Sequence, residues 1–294
     1  SLTISTGAVL AAASGTLDQG TILVNSNNGL EIADGVSVGG SVFTNVTGEF
    51  EDVLTGNGTI SGPVTRQSGN YIAGISGSGS LTLSNTQNIS GATTAAVDRG
   101  NVILASLGNL LGSTATFTVG SPTAIGNVSF TARDNSTLGV NNIVIGAAGA
   151  QSTIGFTVRD NASVSTSAAG TVNLFAGAGT NAAGVVTVNL LGGTLTTGGF
   201  TKSSIGANQG VNINWNGGTI AASQANAAFL PALTGVNVSI GTLGAKFNGN
   251  GNNVTLAANM TGVAGDGGFA KSGTGTGTTT LTGNLTYTGA TSVG

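Results

Sequence analysis

The sequence predicts an all-β chain, a single right-handed parallel β-helix (solenoid) occupying residues 1–294 as one domain. Three observations predict it. Apolar residues alternate at period two, Gly/Asn clusters interrupt the alternating runs, and the same text recurs at intervals in the low to middle twenties.

Alternation is plain in Leu2-Thr3-Ile4-Ser5, Leu81-Thr82-Leu83-Ser84, Val186-Thr187-Val188-Asn189 and Val236-Asn237-Val238-Ser239. Period two is that of a strand with one face buried and the other, here Thr, Ser and Asn, in water. The breaks are Gly56-Asn57-Gly58, Gly77-Ser78-Gly79, Gly192-Gly193 and Asn248-Gly249-Asn250-Gly251. Both residue types accept positive φ and so turn tight corners.

Strands and corners alone fit a sandwich or a barrel equally well; the recurrence selects the solenoid. Phe130-Thr131-Ala132-Arg133-Asp134-Asn135 returns 26 residues later as Phe156-Thr157-Val158-Arg159-Asp160-Asn161. Gly192-Gly193-Thr194-Leu195 returns after 25 as Gly217-Gly218-Thr219-Ile220, Phe175 is 25 from Phe200, and Phe247 is 22 from Phe269. Such a period suits one coil of two or three short strands and is short for a propeller blade. Stacking then sets Phe on Phe inside and Asn on Asn at the corners. At ~25 residues a coil the chain makes about twelve coils. One departure is expected: a short helical excursion near 222–230, in the Ala-rich stretch from Ala221 to Leu233, with Ser223 as N-cap and Pro231 as stop.

Composition narrows the function. Hydrophobic residues make up 39%, enough to build a core despite 52 glycines, while charged residues are only 6%. Seven basic residues without a cluster exclude nucleic acid as a partner. No run approaches ~18 apolar residues, so no membrane insertion by this chain is expected. Cysteine and histidine are absent, which removes disulfides, thiolate metal sites and the His-dependent nucleophilic triads. A weakly charged Thr/Ser/Asn surface repels copies of itself little, and self-association follows.

Carboxylate chemistry is what remains. Asp134 and Asp160, each beside an arginine (Arg133, Arg159), fall one coil apart, near the ~4.8 Å strand spacing, and a catalytic reading would have them as acid and base. The ladder reading accounts for more, because the whole hexapeptide recurs: Phe130 over Phe156 inside, Asn135 over Asn161 outside, with Asp capping turn amides and Arg neutralising Asp. Neither an enzyme nor a cofactor is expected. Glu49, Glu51 and Asp52 form the acidic cluster, read as an exposed loop rather than a calcium site. Trp215, Tyr71 and Tyr287 are read as packing aromatics rather than a sugar platform.

The C-terminal text, from Gly268 through Val293, resembles the autotransporter-associated β-strand repeat, a family of secreted bacterial proteins. Lys271, Gly273, Gly275, Leu281, Gly283, Tyr287 and Gly289 match its pattern, followed by Thr291 and Val293. Asn214-Trp215-Asn216-Gly217-Gly218-Thr219-Ile220 and Asn226-Ala227-Ala228-Phe229-Leu230 look like the segments that precede such repeats, so the resemblance covers about 210–294. Thr279 stands where the family has Leu, and Leu285 where it has Asn. The resemblance implies an extracellular or outer-surface setting in a Gram-negative bacterium.

The expected function is therefore structural. Strand-like text starts at Leu2 and repeat text stops at Val293-Gly294, which reads as uncapped ends able to stack head to tail into a homo-polymer, or as a surface-displayed stalk. The alternative is an adhesin whose face contacts a glycan or another cell surface.

Overall fold

The computed structural model describes residues 2–4, 10–12, 16–17, 21–24, 30–32, 36–45, 54–68, 71–73, 80–97, 100–120, 126–147, 153–176, 184–202, 209–273 and 275–294. Among them every element is a strand or a turn and none is a helix. The strands pair in parallel, each with the equivalent strand of the next turn. This is a parallel β-solenoid.

Three faces make up each turn. On the first, successive rungs place Gln87, Leu110, Leu138, Val164, Leu195, Ile220, Phe247, Lys271 and Val293 on one another, and the column continues below Gln87 through Val64 and Val42. On the second, Ala95, Phe117, Ile143, Val172 and Phe200 stack. The third stacks Val102, Phe130, Phe156, Val188, Ile213, Val238 and Met260. Every member of the second and third columns is 0–1% exposed. Alternation explains the faces: inward positions carry Val, Ile, Leu and Phe, while outward neighbours such as Thr157, Thr187, Asn212 and Asn237 are polar. Each fully buried large apolar side chain contributes about 1.5–3 kcal/mol, so the core columns supply the main stabilisation.

At the corners some backbone groups pair with the neighbouring turn, as where Asn135 and Asn161 donate to the carbonyls of Ser106 and Asp134, and side-chain oxygens of Asn and Asp take up part of the remaining need. Asn57, Asn142, Asn216, Asn253 and Asn259 each accept a backbone N–H from the next turn, from Ser80, Thr171, Leu243, Thr278 and Asn284 respectively. The Asn-rich composition is thus a coil-to-coil stapling system.

The helix expected near 222–230 does not form. Asn226–Leu230 is a strand of a separate three-stranded sheet with Val254–Leu256 and Thr279–Leu281, which carries the second face onward. Its driving force is burial: Phe229 and Leu230 are both 0% exposed, and Phe229 packs edge-on against Phe200 and Phe247. Ser223 caps no helix; its hydroxyl donates to the carbonyl of Ala168.

Two of the expected aromatic rungs are also displaced. Phe200 lies over Val172, not Phe175, and Phe247 lies over Lys271, whereas Phe269 lies over Ala245. Phe175 instead interrupts the strand Val172–Ala176, with φ of 55° between the paired residues Leu174 and Ala176. The reason is that turn length varies: Phe156 to Val188 is 32 residues, Val188 to Ile213 is 25.

Candidate functional site

The recurring hexapeptide sits where the third face turns into the first. Phe130 and Phe156 are rung partners with stacked rings, centroids 5.6 Å apart at 28°, and Phe117 meets Phe130 edge-on at 4.8 Å. Both Phe rings are fully buried. Four residues on, the chain must turn sharply, and Asp134 and Asp160 do so in the left-handed region, at φ of 59° and 57°. Aspartate tolerates that conformation better than branched residues.

The turn aims each carboxylate at the turn before it. Asp134 Oδ2 accepts the backbone N–H of Ser106 at 2.9 Å, and Asp160 Oδ2 accepts that of Asp134 at 3.3 Å. Arg159 Nε lies 3.2 Å from Asp160 Oδ2, and Arg133 Nε 3.8 Å from Asp134 Oδ2. These pairs are well exposed, so each contributes at most about 1 kcal/mol. Asn161 Nδ2 donates to Asn135 Oδ1 at 3.3 Å. All eight residues of the two hexapeptide rungs singled out from sequence are therefore brought together as a ladder of like on like.

In the next two turns glycine takes the corner. Gly192 is the rung partner of Asp160, and Gly192, Gly193 and Gly217 all have positive φ (145°, 59° and 91°). A Cβ on Gly192 would lie 2.8 Å from the Asp160 nitrogen. Missing side chains leave a notch of 580 Å³ beside Asp160, Asn161, Thr194, Thr219 and Lys246, with Leu191 and Leu243 on its rim. A second hollow of 430 Å³, lined by Ser, Gly and Thr around Leu111, lies on the far side of the first face.

A residue the sequence reading did not single out closes the C-terminal part. Asp266, 7% exposed, accepts hydrogen bonds from Thr288 N and Thr288 Oγ1 at 2.8 Å each, Gly289 N at 2.8 Å and Gly268 N at 3.0 Å. Donation by the Thr288 amide first, and by the other three groups, holds its carboxyl down at about 2, against the opposing pull of burial. The available signal was a lone acid in the glycine corner Gly265-Asp266-Gly267-Gly268.

The repeat-motif residues are spread over this same segment. Lys271 lies in Phe269–Ser272, and Leu281 in Thr279–Leu281 packs partly buried on the core. Gly273 and Gly275, at φ of 98° and 143°, abut Asn248 and Gly251, while Gly289 abuts Gly268 and Asp266. Gly283 sits so close to the carbonyl of Ala258 that a Cβ would fall 2.0 Å from it. The Tyr287 hydroxyl is 2.7 Å from Thr291 Oγ1.

Trp215 is 0% exposed, donates Nε1–H to the Gly218 carbonyl at 2.7 Å, and packs edge-on against Phe269; a buried indole is no platform for a ligand. Tyr71 belongs to the strand Tyr71–Ala73, its side chain outside the described residues, as are Glu49, Glu51 and Asp52. Among the described residues no group of three acidic side chains gathers as a metal site, and no helix is long and apolar enough to cross a membrane. Neither a protein family, nor a curated protein, nor a solved structure matches the chain.

Proposed function

We propose that the chain is a structural protein, the right-handed β-helical rod of an extracellular or outer-surface protein of a Gram-negative bacterium. The observation that carries this reading is the use made of the carboxylates. Asp134, Asp160 and Asp266 each direct an oxygen to a backbone N–H of a neighbouring turn. Groups that an enzyme would present to a substrate here hold coil to coil.

The repeat text after about residue 210 supports kinship with the autotransporter-associated β-strand repeat proteins. At ~25 residues a coil the whole chain makes about twelve coils. A rod with this surface, 6% charged by composition, joins others head to tail as a fibre or stands alone as a stalk.

Negative-stain microscopy with sedimentation across a concentration series tests the proposal. Slender particles are expected, lengthening with concentration if the rod polymerises and of constant length if it is a stalk. Compact, nearly spherical particles would overturn it. A second reading, an adhesin, rests on the notch beside Asp160.

A further inference from the structure

We infer that the glycine notch between Asp160 and Lys246 is a binding site for a short neutral oligosaccharide. Its shape has a local cause. The corner column that carries Ser106, Asp134 and Asp160 continues with Gly192 and Gly217, both at positive φ; a Cβ on Gly192 would meet the Asp160 backbone, and one on Gly217 the Leu243 side chain. The groove runs along the rod axis, three rungs from Asp160 past Gly192 and Gly217 to the turn of Leu243. At ~4.8 Å a rung it is about 14 Å long, the reach of a few linked sugar rings rather than of one.

The lining selects the ligand. Leu191 and Leu243 are 43% and 66% exposed, in a chain that buries most of its described leucines, and both contribute apolar surface to the lining. The rung partners Thr194 and Thr219 add outward hydroxyls to the same lining. One end carries the Asp160 carboxylate and the Asn161 amide, the other the Lys246 ammonium, rung partner of Thr219.

Sugar rings present C–H faces to apolar surface and, along their edges, hydroxyls that both donate and accept. Carboxylate, amide, hydroxyl and ammonium supply both halves of that exchange. Arg159 offsets Asp160 from beside the notch and Lys246 sits at the other end, so no cluster of like charge lines it to select a charged ligand. An extended peptide is disfavoured, because the strands beneath are laddered on both sides and offer no free edge to join.

A glycan array carrying neutral and charged oligosaccharides, probed with the full chain, tests the inference. Neutral oligosaccharides should bind, and Leu243→Ala and Lys246→Ala should each weaken binding by about tenfold. Leu107→Ala, which removes an equally exposed corner leucine (70%) outside the notch, should leave binding unchanged. All three positions are on the surface, and circular dichroism verifies that the variants fold. A blank array, binding confined to charged glycans, or equal losses at Leu107 and Leu243 would overturn it. The rod reading survives those outcomes, because its test is particle shape.

Discussion

The Asp266 carboxylate accepts two hydrogen bonds from one residue, Thr288, through its backbone N–H and its hydroxyl, both at 2.8 Å. The two are 22 residues apart, so one side chain ties a turn to its successor where no ladder bond can reach. A bond of this kind makes stability depend on pH in a defined direction.

Asp266 has its carboxyl lowered from 3.8 to about 2 in the folded chain. A depressed value means the contribution is complete above about pH 4 and is lost as pH falls from there toward 2. Amide hydrogen exchange at Thr288 and Gly289, corrected for intrinsic rates, should show protection falling through that window. Asp266→Ala, which removes the acceptor, should show low protection at both ends of it. Protection independent of pH in the parent chain would contradict the assignment.

At the Asp160 corner, backbone conformation outweighs charge. Asp160→Asn keeps an acceptor and should cost under about 1 kcal/mol. Asp160→Val adds the strain of a branched residue in the left-handed region, about 1–2 kcal/mol more. Denaturant titration of the two variants should rank them in that order; the reverse order would count against a corner role.

The buried aromatic column predicts a larger loss. Phe156→Ala should destabilise by about 3–5 kcal/mol, because the ring is wholly enclosed and stacked on Phe130. Urea unfolding followed by the lone tryptophan reads it, and a shift under about 1 kcal/mol would show that the column is not packed as described.

Two glycines with the same name make opposite predictions. Gly283→Ala sets a methyl against the Ala258 carbonyl and should loosen the C-terminal turns, whereas Gly210 has no atom within 4 Å of a Cβ. Gly210→Ala should be neutral or add a few tenths of a kcal/mol by stiffening the unfolded chain. Thermal melts of the pair decide whether the repeat glycine is there for close approach.

Much of this was legible in the sequence where one turn repeats another without a change of length. Phe130 and Phe156, and likewise Thr194 and Thr219, are rung partners at the offsets their text suggests. Where turn length changes, counting fails: Phe175 to Phe200 has the expected spacing, yet Phe200 pairs with Val172. The strand at Asn226–Leu230 was obscured because its alanines face out and only Phe229 and Leu230 bury. Local helix propensity there yields to a sheet built with residues 254–256, which no local window contains. Asp266 and the glycine notch were hidden for a similar reason. One is defined by a partner a turn away, the other by side chains that are missing.

Register between turns is the claim on which the ladder, the corners and the notch all depend. The chain has no cysteine, so a designed pair reports on it cleanly. Thr131 and Thr157 are outward rung partners, spaced ~4.8 Å, within reach of a disulfide, while Thr131 and Gly155 are about 8 Å apart by the same geometry. Under mild oxidation Thr131→Cys with Thr157→Cys should cross-link within one chain, and Thr131→Cys with Gly155→Cys should not. Efficient cross-linking of the shifted pair, with none in the aligned one, would contradict the stacked solenoid described here.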